Sequence, residues 1–169
     1  LQSLAARTGQ AVLLYNGQPA AACYHAISSG HTEASQNVWG GQLPYLCGVD
    51  SAWDKFADGY EVTIQYSAEQ VRTALEELGL TPDDSPESWV GASTWDNAGY
   101  VRTLELCGQM VSGLEVRKAL DLRSTCFAIA WRGGQFVITT RGYGHGVGLS
   151  QYGAKAMAEG GAGWEDILG

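Results

Sequence analysis

Residues 141–148 read RGYGHGVG, with glycines at 142, 144, 146 and 148 alternating with Tyr143, His145 and Val147. A glycine at every second position of an extended segment leaves one backbone face bare, so a ligand or another strand can approach closely. The other face offers an aromatic ring, an imidazole and an apolar side chain in a row. Ser150 and Gln151 follow where the segment turns into a helix running to Glu159, with free N–H groups and a capping hydroxyl nearby. Any fold built from this chain has to bring something against that bare face.

The rest of the chain supplies hairpins and short helices. Asn16-Gly17 between two apolar runs is a strong hairpin signal. Residues 28–41 are polar and glycine-bearing and read as a long functional loop. Tyr60–Tyr66 alternates as a strand. Ser67 then caps a helix that Gly79 stops, with Gln70 completing a capping box and Val71, Ala74, Leu75 and Leu78 on one face. Residues 81–88 form a polar connection, Tyr100–Met110 reads as a strand, and Ser112 with Glu115 opens a second capped helix. Strands over Thr125–Trp131 and Gln135–Thr140 meet at Gly133-Gly134, and a last helix begins at Asp166. The opening LQSLAART reads as the inside or end of a helix, as of a chain that continues upstream. The pattern predicts an α+β fold of antiparallel hairpins with a few packed helices, one compact unit or two lobes around a cleft.

The 169 residues are 45% hydrophobic and 17% charged, which places them with globular chains. No apolar run approaches the roughly 18 residues a membrane-spanning helix needs. The net charge of −8 argues against nucleic acid and anionic lipid as partners, and is compatible with a neutral polymer such as a polysaccharide. The four cysteines, Cys23, Cys47, Cys107 and Cys126, contain no CxxC spacing, which disfavours a zinc ribbon. Cys107 and Cys126 stand in strand-like apolar runs and read as buried side chains. At most one disulfide is expected, with Cys23 and Cys47 the pair.

The stretch from Arg141 to Gly161, RGYGHGVGLSQYGAKAMAEGG, resembles the GxGHGVGxSQYGA signature of the stage II sporulation protein D (SpoIID/LytB) family, which includes proteins of the amidase-enhancer type. Residues 24–54, YHAISSGHTEASQNVWGGQLPYLCGVDSAWD, are similar to a second family block, and residues 115–125, EVRKALDLRST, to a third. Cys23 and Cys47 lie in or beside the second block, and the disulfide pairing rests on that shared location.

The resemblance implies an exported peptidoglycan-processing domain over residues 1–169, anchored to a membrane by an upstream segment. Its activity would be lytic cleavage of peptide-free glycan strands: one carboxylic acid protonates the glycosidic oxygen, and the muramyl 6-hydroxyl closes an anhydro ring. The family's glutamate acid sits in an upstream pattern like LExYLxGVVxxE that this chain lacks. The catalytic residues are therefore unassigned, and a non-catalytic amidase enhancer or glycan-binding module is the alternative. The implied partners are peptidoglycan glycan strands and other wall hydrolases. No cofactor and no metal are implied.

The expected substrate-binding residues are His25, Ser28, Ser29, Gly30, Thr32, Glu33, Trp39, Tyr45, Tyr143, His145, Ser150 and Gln151. His25 shares its strand face with Cys23 and Ile27, which fits a core position as well as a cleft position. Cys23, His25 and His31 imitate a metal set, but three ligands fall short of a structural zinc site. Glu33 is the one carboxylate in a signature loop; bonding of loop N–H groups is the favoured reading over a substitute acid. Trp39, Tyr45, Trp53, Tyr143 and Tyr152 suit stacking on sugar rings, whereas Trp131 in an apolar strand reads as core.

Overall fold

The computed structural model describes residues 11–168, so the helical reading of LQSLAART lies outside the described residues. A small hairpin comes first, β1 (Leu14–Tyr15) and β2 (Gln18–Pro19), turning at Asn16 and Gly17, both with positive φ, as the Asn-Gly signal requires. Strand β3 (Tyr24–His25) leads into the loop from Ser28, where the structure adds a helix not anticipated from its polar sequence, α1 (Ser35–Trp39). A 3-10 turn, Ala52–Phe56, closes this half.

Two three-stranded antiparallel sheets form the rest. In one, β4 (Glu61–Tyr66) and β8 (Phe127–Arg132) flank β9 (Gln135–Arg141). In the other, β6 (Val101–Leu106) lies between β5 (Val90–Trp95) and β7 (Gln109–Ser112). The expected single strand over Tyr100–Met110 is thus a hairpin. Cys107 and Gly108 take positive φ (49° and 76°) and turn the chain, so Cys107 is a half-buried turn residue rather than a buried strand residue. Strand β5 had no sequence reading, because Gly91, Ala92 and Ser93 interrupt its apolar pattern.

Both capped helices form as the sequence predicts. In α2 (Ala68–Glu77) and α3 (Gly113–Ala119), Ser67 and Ser112 accept from the backbone N–H groups of Gln70 and Glu115, whose side chains return the bond. The buried stripe Val71, Ala74 and Leu75 of α2 packs with Leu104, Leu106, Val116, Phe136 and Ile138 in one hydrophobic core. Trp89 stacks on Phe136 at 5.7 Å between ring centroids, and Trp131 meets it edge-on at 4.8 Å. Strand β10 (Leu149–Ser150), α4 (Gln151–Glu159) and α5 (Trp164–Leu168) end the fold. No helix among the described residues is long and apolar enough to cross a membrane.

Candidate functional site

The glycine-rich stretch is not an extended strand. Gly142, Gly144, Gly146 and Gly148 all adopt positive φ, from 75° to 117°. Its bare side is occupied by the protein's own chain. A side-chain carbon at Gly142 would lie 2.8 Å from the Ile27 carbonyl oxygen, and one at Gly144 would lie 2.8 Å from His25 Cβ. At Gly146 it would meet the Tyr100 hydroxyl at 2.7 Å, and at Gly148 it would collide with the Cys23 carbonyl. Of the two occupants the sequence allowed, it is the protein's own chain: Gly142, Gly144 and Gly148 make room for the segment from Cys23 to Ser28, and Gly146 for Tyr100 and Glu33. Strand β10 then pairs with β3 in parallel, Leu149 opposite Tyr24 and Ser150 opposite His25.

Two histidines grip the backbone of one residue of this loop, Val147. The Val147 N–H donates to His145 Nδ1 at 3.1 Å, and His25 Nδ1 lies 3.2 Å from the Val147 carbonyl oxygen. A carbonyl only accepts, so His25 carries its proton on Nδ1, and His145 Nδ1 is unprotonated. Burial lowers the pKa of both rings; the Arg117 charge lowers that of His145 further. His25 is 4% exposed, and its Nε2 has no hydrogen-bond partner among the described residues. The His145 ring lies 5.9 Å from His25 and 5.1 Å from Trp39, and Arg123 sits 4.4 Å over the Tyr143 ring. Trp39 and Tyr143 are half exposed, so this face presents aromatic surface to solvent around a half-buried imidazole.

Beneath it lies a buried polar scaffold. Asp54, fully buried, accepts the Ser28 N–H at 2.8 Å and the Ser150 hydroxyl at 2.7 Å, tying the loop after β3 to the start of α4. Ser150 Oγ in turn accepts the Gly153 N–H as the helix cap. Glu33 is 4% exposed. Its carboxylate accepts from the Ala34 N–H, the Asn37 amide and the Arg102 guanidinium at 2.7, 2.8 and 2.7 Å. Arg102 also holds Asp96 at 2.5 Å and donates to the Asn37 carbonyl, so it anchors α1, which carries Trp39. Burial, reinforced by the nearby Asp96 carboxyl, raises the Glu33 pKa. Tyr100, 1% exposed, donates to the His31 carbonyl and accepts the Ser29 N–H; burial pushes its phenol up to about 12.

The expected site residues thus separate into three groups. Trp39, His145 and His25 come together, and Tyr143 stands two residues along the loop from His145 under Arg123. Ser28, Ser29, Gly30, Thr32, Glu33 and Ser150 are buried, most of them bonded to the fold's own groups. Tyr45 and Gln151 line a different, apolar groove of about 540 Å³ under the first hairpin, with Tyr45 packed on Tyr15 at 4.8 Å. Sequence reasoning missed Asp54, Asp96, Tyr100, Arg102 and Arg123. Asp54 stands within a motif block, but nothing in a linear pattern marks Arg102, 69 residues from its Glu33 partner.

All four cysteines are free, so the expected Cys23–Cys47 bridge is absent. Both residues border the apolar groove, but sharing a sequence block does not bring two Cβ atoms into disulfide geometry. Among the described residues no group of three His, Cys, Asp or Glu side chains could hold a metal ion. His31 spends its Nδ1 on the neighbouring Thr32 carbonyl at 2.8 Å.

An α+β core carrying a glycine loop pinned over a histidine-bearing strand is the class of domain the three sequence blocks resemble. Over nearly all of its length the chain is similar to stage II sporulation protein D. It is 38% identical over 164 residues, 96% of its length, to stage II sporulation protein D of Bacillus subtilis (strain 168), covering 46% of that protein. The corresponding protein of Bacillus amyloliquefaciens is 37% identical over 158 residues, with 93% of this chain and 44% of the relative covered. A B. subtilis protein named amidase enhancer is 26% identical over 210 residues, 93% of this chain and 29% of that protein. The chain therefore spans about half the length of the two sporulation proteins it matches. No protein-family profile matches the chain.

Proposed function

We propose that this chain is the part of a sporulation or cell-wall protein that binds peptidoglycan glycan strands, and that it does not itself cleave them. The names of its relatives support the sporulation and wall setting. The half-exposed Trp39 beside His145, with the half-exposed Tyr143 on the same loop, supports a surface for sugar rings, because aromatic faces meet the apolar faces of pyranoses. Such a domain acts outside the cytoplasm.

The observation that carries the non-cleaving half is the state of Glu33. Glycosidic cleavage needs a proton donor within hydrogen-bond reach of the scissile oxygen. Glu33, the carboxylate of the signature loop, is buried and takes three hydrogen bonds from the fold. A raised pKa alone does not make it an acid that substrate can touch. The amidase-enhancer reading shares this binding surface and is favoured by the matched relative of that name.

The test is incubation with peptide-free glycan strands, read by co-sedimentation and by mass spectrometry for 1,6-anhydromuramyl ends. Binding without anhydro ends is expected, weakened several-fold in Trp39→Ala. Anhydro ends that disappear in Glu33→Gln would make Glu33 the acid and overturn the reading.

A further inference from the structure

A second cavity, of about 720 Å³, opens where the two three-stranded sheets meet, away from the histidine pair. The sheets are joined there by the Val101 N–H, which donates to the Thr125 carbonyl at 2.9 Å. Its floor includes the buried Cys126 thiol, which burial raises to about 11 and so keeps as an uncharged apolar group. The volume is that of a small-ligand site rather than of a packing defect.

Three side chains give this cavity a chemistry. Trp95, at the end of β5, is 56% exposed. Arg141, at the end of β9, is paired across the strands with Glu61 and donates to it from Nε at 2.8 Å. That bond orients the guanidinium while its two terminal nitrogens make no hydrogen bond to the described residues. Lys55, from the 3-10 turn, lays its stem against the backbone of Gly30, where a side-chain carbon would collide with it, and its ammonium has no ion-pair partner among the described residues. Lys55 and Arg141 against Glu61 leave this cavity one positive charge in excess on a chain whose net charge is −8.

An exposed indole, an oriented guanidinium with both terminal nitrogens open, and an unengaged ammonium are the parts that bind a ring bearing a carboxylate. The indole stacks on the ring, and the cations take the anion by charge-assisted hydrogen bonds. We propose that this cavity is a binding site for a carboxylate-bearing saccharide, separate from the Trp39–His145 surface. The choice of a sugar as the ring rests on the glycan reading above; the anion preference rests on the cavity alone.

The experiment follows the Trp95 indole N–H by NMR, assigned by its loss in Trp95→Ala, during titration with N-acetylmuramic acid, N-acetylglucosamine or acetate. The acidic sugar is expected to shift this signal, with affinity at least about tenfold above the neutral sugar and above acetate. Arg141→Gln and Lys55→Gln should each weaken it by about tenfold, and Trp39→Ala should leave it unchanged. The Arg141–Glu61 pair is exposed, so both charge variants should keep the melting temperature of the parent, which confirms that they are folded. No shift with the acidic sugar, equal binding of acidic and neutral sugars, or unchanged affinity in both charge variants would overturn the proposal. Loss of polymer binding in Trp39→Ala with the Trp95 response intact would separate this site from the first. A Trp95 response with no polymer binding at all would refute the glycan surface and leave this site standing.

Discussion

His25 and His145 hold the Val147 backbone at its two polar groups, one donating to the carbonyl and the other accepting from the N–H. Protonating His145 at Nδ1 removes that acceptor, and protonating His25 at Nε2 adds a buried donor that no described residue meets. Burial lowers both pKa values, with Arg117 adding to the effect at His145 and the Val147 hydrogen bond, then the Asp54 charge, opposing it at His25. An unfolded chain binds protons at these rings below about pH 6.5, whereas the folded chain binds them only at lower pH. Their contribution to stability is therefore full above about pH 6.5 and lost as the pH falls through the folded values. Melting curves between about pH 7.5 and 5 should show stability falling with acid, and the slope should flatten in the His25→Gln, His145→Gln double variant. An unchanged slope would mean that the rings titrate alike in both states. The histidines were legible in the sequence as residues of interest; their tautomers were not, because those follow from which backbone group of Val147 each ring faces.

The glycine-rich loop is the element that most depends on a close approach. Gly146→Val puts a branched carbon where the Tyr100 hydroxyl stands at 2.7 Å and Glu33 Cβ at 3.2 Å, on a backbone with φ of 81°. Gly133, with φ of 58° in the β8–β9 turn, meets nothing within 4 Å. Both substitutions strain a left-handed backbone, by about 1–2 kcal/mol. Only Gly146→Val adds overpacking, about 1–3 kcal/mol more. Urea unfolding should therefore show a clearly larger loss for Gly146→Val than for Gly133→Val, and equal losses would remove the packing argument. The capping boxes and the Asn16-Gly17 and Gly133-Gly134 turns were readable locally, because the residues that satisfy each other lie within four positions; the Cys107-Gly108 turn was not. Helix α1 and strand β5 were not. The first has no side-chain cap, and the second has a broken apolar alternation that its pairing with β6 compensates.

Across the whole molecule, Asp54 is the point where the loop after β3, the Ala52–Phe56 turn and α4 are tied together. Asp54→Ala leaves the Ser28 N–H and the Ser150 hydroxyl without their buried partner, at a cost of about 2–5 kcal/mol. That is a large share of a stability of about 5–15 kcal/mol. Calorimetry should show a strongly lowered transition temperature, and a change of less than about a degree would mean water replaces the carboxylate. What the sequence determined by itself was whatever depends on near neighbours: the Asn16-Gly17 and Gly133-Gly134 turns, the two capping boxes, the amphipathic stripe of α2 and the α+β class. The tertiary structure alone decided what covers the bare side of the glycine loop, that Arg102 rather than a ligand engages Glu33, that Cys23 and Cys47 stay apart, and that Tyr45 and Gln151 face a different groove from His145. Each of those outcomes is a contact between residues far apart in the chain. A linear pattern encodes the side chains that can make such a contact, and only the packing of the core selects which of them meet.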